Sequence, residues 1–270
     1  MWRSLLLDQI LQTIILGFIQ GLAEWLPISS TAHLKIVEHF WGLTVTPLFN
    51  VTLHVGTLIV VVFYFRREVK SILLALIHLD FKSEYGILIL PIIVAMVPTA
   101  IVGLLYVQFF EGTLQTILAI GMTFLVGATI VYASKTGKES TDIVTYGMAL
   151  VMGAAQGFAI FPGLSRSGIT ISTALLLGLK REKAFKFSFL LSIPAILGDL
   201  AVEAYKQRGR LALQGFGSIE LVVGVTVAAV VGYVAISLVS KLVASKRFHY
   251  FAFYTWLLGL TPIALVVAGY

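Results

Sequence analysis

Three stretches constrain this chain more than anything else in it. Residues 49–65, 87–110 and 114–134 contain no Asp, Glu, Lys or Arg and are strongly apolar. A bilayer core is crossed by about 20 apolar residues in a helix. Inside hydrocarbon no water is available to bond the peptide N–H and C=O groups, so a spanning segment must close its own hydrogen bonds as a helix or belong to a closed barrel. A barrel would alternate apolar and polar residues in segments of about ten, whereas these runs are continuous. Only 12% of the 270 residues are charged, against about 25% in soluble chains. The expected fold is all-α, a polytopic membrane protein.

Six runs are expected to span: 49–65, 87–110, 114–134, 185–205, 219–240 and 248–267. Pro91 and Pro98 are expected to kink the second of them. Two further segments are apolar but broken. Residues 5–26 carry Asp8, Gln9, Gln12, Gln20 and Glu24 and end at Pro27, and 29–41 is too short to cross. Together they predict a re-entrant helical hairpin, and 143–161 with 168–179 predict a second one. The mixed stretch 71–84 is expected at the membrane surface. About six transmembrane helices plus two re-entrant hairpins result.

An internal repeat organises these segments. Gly17 and Gly153 stand 136 residues apart, and the same offset pairs Gln20 with Gln156, Gly21 with Gly157, Ala23 with Ala159 and Ser29 with Ser165. The chain therefore reads as a single transmembrane domain, 1–270, built of repeat 1 (1–134) and inverted repeat 2 (143–270). A hairpin followed by three spans is an odd number of crossings, so the second copy enters from the opposite side, the inverted-topology plan of many transporters. The basic runs 66–70, 135–138, 180–186 and 241–247 are expected to be cytoplasmic, while loop 206–210 is basic yet falls outside. The uncharged loop 44–47 and its basic counterpart 180–183 then lie on opposite sides, as inversion requires.

The net charge of +6 is distributed as these topology signals, which excludes nucleic-acid binding as its explanation. With no cysteine there are no disulfides, thiolate metal sites or Cys nucleophile. The first 26 residues lack a signal-peptide pattern and are expected to be part of the fold.

Polar residues at membrane depth mark function by default, and they concentrate at the two breaks. Residues 21–33 read GLAEWLPISSTAH and 161–170 read FPGLSRSGIT. Gln20 and Glu24, four apart, share a helix face. Ser29 and Ser30 stand four and three residues before His33, so either could pass its proton to the imidazole. The simpler use of such serines is to cap a helix, but Glu24 and His33 beside them favour a site. In the second break the turn opens a helix whose first N–H groups attract anions, and Arg166 adds a planar, permanent charge suited to phosphate or carboxylate. Apolar flanks argue against Arg166 reaching to headgroups. Repeat partners have diverged: Glu24 faces Ile160, Ser30 faces Arg166 and His33 faces Ile169. One copy keeps an acid and a base and the other an anion clamp, a composite suited to phosphoryl transfer.

The first motif, Gln20 to His33, resembles the acidic motif of the undecaprenyl-diphosphate phosphatase family, known for bacitracin resistance. The second, Pro162 to Thr170, is similar to that family's Pro-Gly-x-Ser-Arg-Ser-x-x-Thr pattern. The resemblance covers nearly the whole chain. It implies hydrolysis of a polyprenyl diphosphate to the monophosphate by a multi-pass enzyme of the cell membrane, with a divalent cation (Mg²⁺ or Ca²⁺) assisting. The residues it points to are Glu24, Ser30, His33 and Arg166 for catalysis. Ser29, Thr31, Ser165, Ser167, Thr170 and Gly163 would bind substrate, and Glu24 with Gln20 the metal. The family's motif opens with Glu or Gln. Here it is Gln20, which leaves Glu24 as the sole carboxylate of that pair.

The expected mechanism has Ser30 attacking the terminal phosphorus with His33 as base, and His33 itself as the rival nucleophile. The active site is expected to face the outer side. The alternative function is a polyprenyl-phosphate flippase or other secondary transporter, which needs the clamp but not Ser30. A purely structural membrane protein leaves Glu24, His33 and Arg166 unexplained together. His54, His78 and His249 are expected to be satisfied core residues, and Asp199 and Glu203 to pair at the interface with Lys206 or Arg208, with lining the entrance or attracting cations as the alternative. Glycine-bearing faces at 121–127 and 224–232 suggest close packing or a homodimer contact.

Overall fold

A computed structural model of the chain describes residues 2–42, 45, 47–110, 116–206 and 217–267. Loops 44–47 and 206–210 fall largely outside that range. The order of helices is α1 Trp2–Trp25, α2 Ser30–Trp41, α3 Pro47–Tyr64, α4 Arg66–Ile77, α5 Ile89–Phe109, α6 Ile117–Ala133, α7 Tyr146–Phe158, α8 Arg166–Leu176, α9 Arg181–Lys206, α10 Ser218–Ala244 and α11 Phe251–Val267. Among the described residues there is no strand, only an isolated bridge between Thr141 and Leu179. The all-α polytopic fold is as expected, and each expected span coincides with a helix. By length and composition four segments can cross a bilayer: Gly86–Phe109, Ile117–Thr136, Arg181–Lys206 and Ser218–Ala244. The α3–α4 pair, bent by 82°, is a fifth if it counts as one span. The remaining helix, α11, has 17 residues.

The helix ends follow their residues. Thr116, Thr145 and Ser165 cap α6, α7 and α8, each hydroxyl accepting a backbone N–H three residues on, which satisfies a donor that has no partner inside the helix. Gly42 closes α2 in the left-handed conformation at φ +61°. Pro91 sits in the first turn of α5, where its missing N–H costs no bond, and Pro98 lies in the interior. The chain turns sharply after Tyr64, at the charged run that opens α4. That helix exposes Leu73, Leu74, Leu76 and Ile77, as a surface-lying segment would.

Helix α1 packs along α10, α7 along α5, and α6 along α11. The crossings are close because glycine removes the side chain between backbones. A Cβ on Gly17 would stand 2.7 Å from the Gly224 carbonyl oxygen, and one on Gly21 2.5 Å from that of Ala228. At the positions 136 residues further on, a Cβ on Gly153 would fall on the Ala95 carbonyl, and one on Gly157 would lie 2.7 Å from Val102 Cβ. The glycines at 121, 224 and 232 also meet other helices of the same chain, Gly121 lying against Gly259 and Gly232 against Trp25, and Gly127 meets the turn at Gly163 and Leu164. Those faces are packed internally.

At one end of the bundle three ion pairs tie the basic runs together. Lys180 bonds Asp142 at 2.7 Å, Arg181 bonds Glu139 at 3.0 Å, and Lys186 bonds Glu68 at 3.3 Å. The basic runs 66–70 and 180–186 therefore share one face with the acidic residues of 139–142. Beneath the first hairpin an aromatic cluster fills the interior, with Trp25 stacked on Phe189 at 5.0 Å and Phe185 against Phe189 at 4.4 Å.

Overpacking a tight crossing costs about 1–3 kcal/mol. Gly153→Val is expected to destabilise by at least that much, read as a lower Tm in detergent. Gly198→Ala, whose Cβ would meet nothing within 4 Å, is expected to leave Tm unchanged or raise it.

Candidate active site

The two breaks meet at their tips. Helix α1 stops at Trp25, Pro27 prevents its continuation, and α2 begins at Ser30. Between them Ser29 adopts φ +65°, ψ 99°, a region that non-glycine residues enter only when their surroundings enforce it. Its hydroxyl makes no capping bond and instead accepts the Gly163 N–H at 3.1 Å. The bland capping role therefore does not apply to Ser29. Gly163 itself has φ +102°, and a Cβ there would lie 2.8 Å from the Ile120 carbonyl oxygen, so the turn requires glycine. Thr123 Oγ1 donates to the Pro162 carbonyl and holds the same turn against α6. In return Ser165 and Ser167 each donate to the Leu26 carbonyl, at 3.2 and 3.3 Å, while Ser165 also accepts the Gly168 N–H as the cap of α8.

Glu24 is the centre of what these turns enclose. It is 6% exposed. Its Oε2 accepts Ser30 Oγ at 2.6 Å and Gln20 Nε2 at 3.1 Å, and its Oε1 accepts Arg166 Nη1 at 3.2 Å. His54 Nε2 lies 3.6 Å from Oε2. A carboxylate taken out of water persists as a charge only when paired and hydrogen-bonded, and here both oxygens are engaged. The other arm of the guanidinium, Nη2, donates to Asp199 Oδ2 at 2.9 Å. A small recess beside this centre is lined by Glu24, Trp25, Arg166, Ser167, Thr170 and three residues of α9, Ser188, Phe189 and Ser192. The Ser188 hydroxyl is buried and has no partner.

The structure brings Gln20, Glu24, Ser29, Ser30, Gly163, Ser165, Arg166 and Ser167 together as the two motifs require. Thr170 lines the recess while donating to the Arg166 carbonyl at 2.8 Å, and Thr31 is exposed. His33 takes different partners from those expected. Its Nδ1 donates to the Ser29 carbonyl at 2.8 Å, which leaves Nε2 of the neutral ring to accept the Tyr254 hydroxyl, also at 2.8 Å. Ser30, meanwhile, donates to Glu24.

His54 is a correction to the sequence reading. It is no isolated core residue but flanks Glu24, carried there by α3, with Nδ1 donating to the Asn50 carbonyl. His78 is likewise not in the core; it is exposed at the end of α4. Asp199 pairs with Arg166, a partner the sequence reading does not name, and Arg208 lies outside the described residues. Tyr254 carried no local signal in sequence, and Ser188 lies in an otherwise apolar run.

For a divalent cation the donor set is sparse but of the right kind. Among the described residues no group of three or more His, Asp or Glu could hold a metal. Gln20 Oε1 is buried without a partner beside the Glu24 carboxylate. Hard cations take such oxygens, and Mg²⁺ typically uses one or two carboxylates plus substrate phosphates. The residues fit a cation that arrives with a phosphorylated substrate.

Fold and site define a class: an all-α membrane protein in which two broken helices join at their turns around a buried acid–arginine pair. The chain belongs to the bacitracin resistance protein BacA family, whose sequence model matches residues 13–261. It is 38% identical over 265 residues to a protein named undecaprenyl-diphosphatase in Carboxydothermus hydrogenoformans, covering 96% of this chain and 98% of that one. It is 39% identical over 262 residues to undecaprenyl-diphosphatase 3 of Bacillus cereus, covering 94% and 96%. It is also 37% identical over 268 residues to the undecaprenyl-diphosphatase of Korarchaeum cryptofilum, covering 96% and 100%.

Removing the Ser29 hydroxyl leaves the buried Gly163 N–H without an acceptor, at a cost of about 1–3 kcal/mol. Ser29→Ala is therefore expected to lower Tm in detergent, whereas Thr31→Ala, at an exposed position, is not.

Proposed function

We propose that the protein is an integral-membrane phosphatase that hydrolyses undecaprenyl (polyprenyl) diphosphate to the monophosphate and inorganic phosphate, recycling the lipid carrier. One observation carries this reading beyond family membership: Ser30 and Arg166 converge on opposite oxygens of one carboxylate. A nucleophile and an anion clamp are thereby gathered around one carboxylate, in the same small centre. A flippase would use the clamp but gains nothing from a buried hydroxyl aimed at Glu24.

Phosphoryl transfer asks an enzyme mainly for positioning and charge stabilisation. Arg166 and the N–H groups at the start of α8 receive the phosphate oxygens, with Ser165, Ser167, Thr170 and Gly163 fixing their frame. Ser30 Oγ attacks the terminal phosphorus, and its proton passes to Glu24, the acceptor it already faces. The bond from phosphorus to the bridging oxygen breaks and the prenyl monophosphate leaves. Water then attacks the phosphorus of the phosphoserine, the bond from phosphorus to Ser30 Oγ breaks, Oγ takes back the proton that Glu24 held, and inorganic phosphate leaves. His33, held between the Ser29 carbonyl and the Tyr254 hydroxyl, fixes the Ser29 turn. Glu24 and Gln20 would hold a Mg²⁺ or Ca²⁺ ion, which supplies charge neutralisation for the diphosphate.

The site opens at the Asp199 end of α9. Asp199 lies about 27 Å along that helix from Arg181, at 1.5 Å per residue, and Arg181 belongs to the face tied by basic ion pairs. If that face is cytoplasmic, the entrance is on the outer side of the cell membrane. The division into repeat 1 (1–134) and inverted repeat 2 (143–270) draws support from the glycine crossings. Gly17 and Gly21 of the first copy meet α10, while Gly153 and Gly157 of the second meet α5, so each hairpin packs on a helix of the other copy.

Purified protein in detergent is expected to release phosphate from a prenyl diphosphate. Arg166→Ala should lower kcat by about 10²–10³, the cost of one strong transition-state donor. Rapid quenching should trap phosphate on Ser30. Phosphate found on His33 would overturn the nucleophile assignment, and a neutral Arg166→Ala would overturn the clamp.

A further inference from the structure

Arg166 divides its guanidinium between two carboxylates of very different standing. Nη1 holds Glu24, whose side chain is 5% exposed, and Nη2 holds Asp199, whose side chain is 58% exposed. Glu24 is fixed by Ser30 and Gln20 as well, whereas Arg166 is the partner the structure gives Asp199. An ion pair more than half open to water is weak, because the solvent screens it and the side chain loses freedom to hold it. When a phosphate arrives, Asp199 is therefore the ligand that gives way. Its oxygen lies 2.9 Å from Nη2, where a phosphate oxygen bound to that arm would sit. The neighbouring helix surface has room, since a Cβ on Gly198 would meet nothing within 4 Å.

We propose that Asp199 is a specificity-determining residue of this site: its carboxylate occupies the outward arm of Arg166 in the resting enzyme, and phosphate ligands bind by displacing it. The proposal rests on Arg166 being the anion clamp. Charge decides the direction of the effect. Asp199 adds a second negative charge at the one guanidinium, and it stands on the outward arm where an arriving anion meets it first. A diphosphate overcomes this with two phosphoryl groups and an accompanying cation. The inorganic phosphate formed in the reaction does not, and leaves as Asp199 returns to Nη2. The device thus favours diphosphate over the smaller phosphate product.

The test uses Asp199→Asn, which keeps shape and removes charge, in the full-length protein in detergent with farnesyl diphosphate as substrate. Inhibition by added inorganic phosphate is measured beside KM and kcat. The expected result is that the phosphate inhibition constant falls by roughly two- to fivefold, the range an exposed ion pair supplies, while KM falls by less, so that discrimination against phosphate is lost. An equal fall in both overturns the specificity role. In an Arg166→Lys background, which lacks the two-armed fork, the same substitution is expected to shift the inhibition constant by less. If Asp199 instead only holds Arg166 in position, Asp199→Asn lowers kcat with KM and the inhibition constant unchanged or raised, and the proposal is overturned. If Arg166→Ala leaves catalysis and phosphate inhibition untouched, the clamp itself is wrong. A damaged Arg166→Ala beside an unchanged Asp199→Asn rejects the displacement alone.

Discussion

A buried carboxylate must be answered by donors, and the architecture around Glu24 follows from that requirement. Taking a charge out of water costs several kcal/mol unless hydrogen bonds and a counter-charge compensate. Gln20 comes from one turn earlier on the same helix, Ser30 from the start of the next, and Arg166 from the far hairpin. The pair with Arg166 cannot form unless both helices break at the right depth and their turns face each other. Pro27 and Gly163 supply the breaks, and the bonds from Ser165 and Ser167 to Leu26 and from Gly163 to Ser29 hold the turns together. Neither half of the chain contains the site by itself.

Much of this was legible in the amino-acid order. Continuous apolar runs permit only helices in a bilayer, and polar residues clustered at two proline-bearing breaks mark where the helices stop. The second turn, opening a helix after its proline and glycine, follows from local backbone chemistry, whereas Ser165 as the cap of that helix emerges only in the structure. The Ser30–His33 pairing did not survive, for a geometric reason. Side chains on a helix lean toward its N-terminus, so Ser30, at the first position of α2, reaches back to Glu24, and His33 reaches back to the Ser29 carbonyl. Equal spacing on a helix face puts residues side by side without making them point at one another.

His54, Tyr254 and Asp199 were harder for a different reason. Each reaches the centre from a helix far away in sequence: Asp199 is 33 residues from Arg166, and Tyr254 is 221 from His33. Periodicity places such residues on a helix but says nothing of which helix lies opposite. The glycine crossings show what carried that information. Small residues at Gly17, Gly21, Gly153 and Gly157 let backbones approach closely, and this fixes which helices become neighbours.

The Leu26 carbonyl has a consequence for how this centre tolerates change. Two hydroxyls, Ser165 and Ser167, donate to the same oxygen. At that oxygen either can stand in for its neighbour, although only Ser165 also caps α8, and the loss of both leaves the Ser29–Gly163 bond as the remaining tie between the turns. The two positions form an epistatic pair. A survey that alters one side chain at a time will under-count their joint importance for this contact.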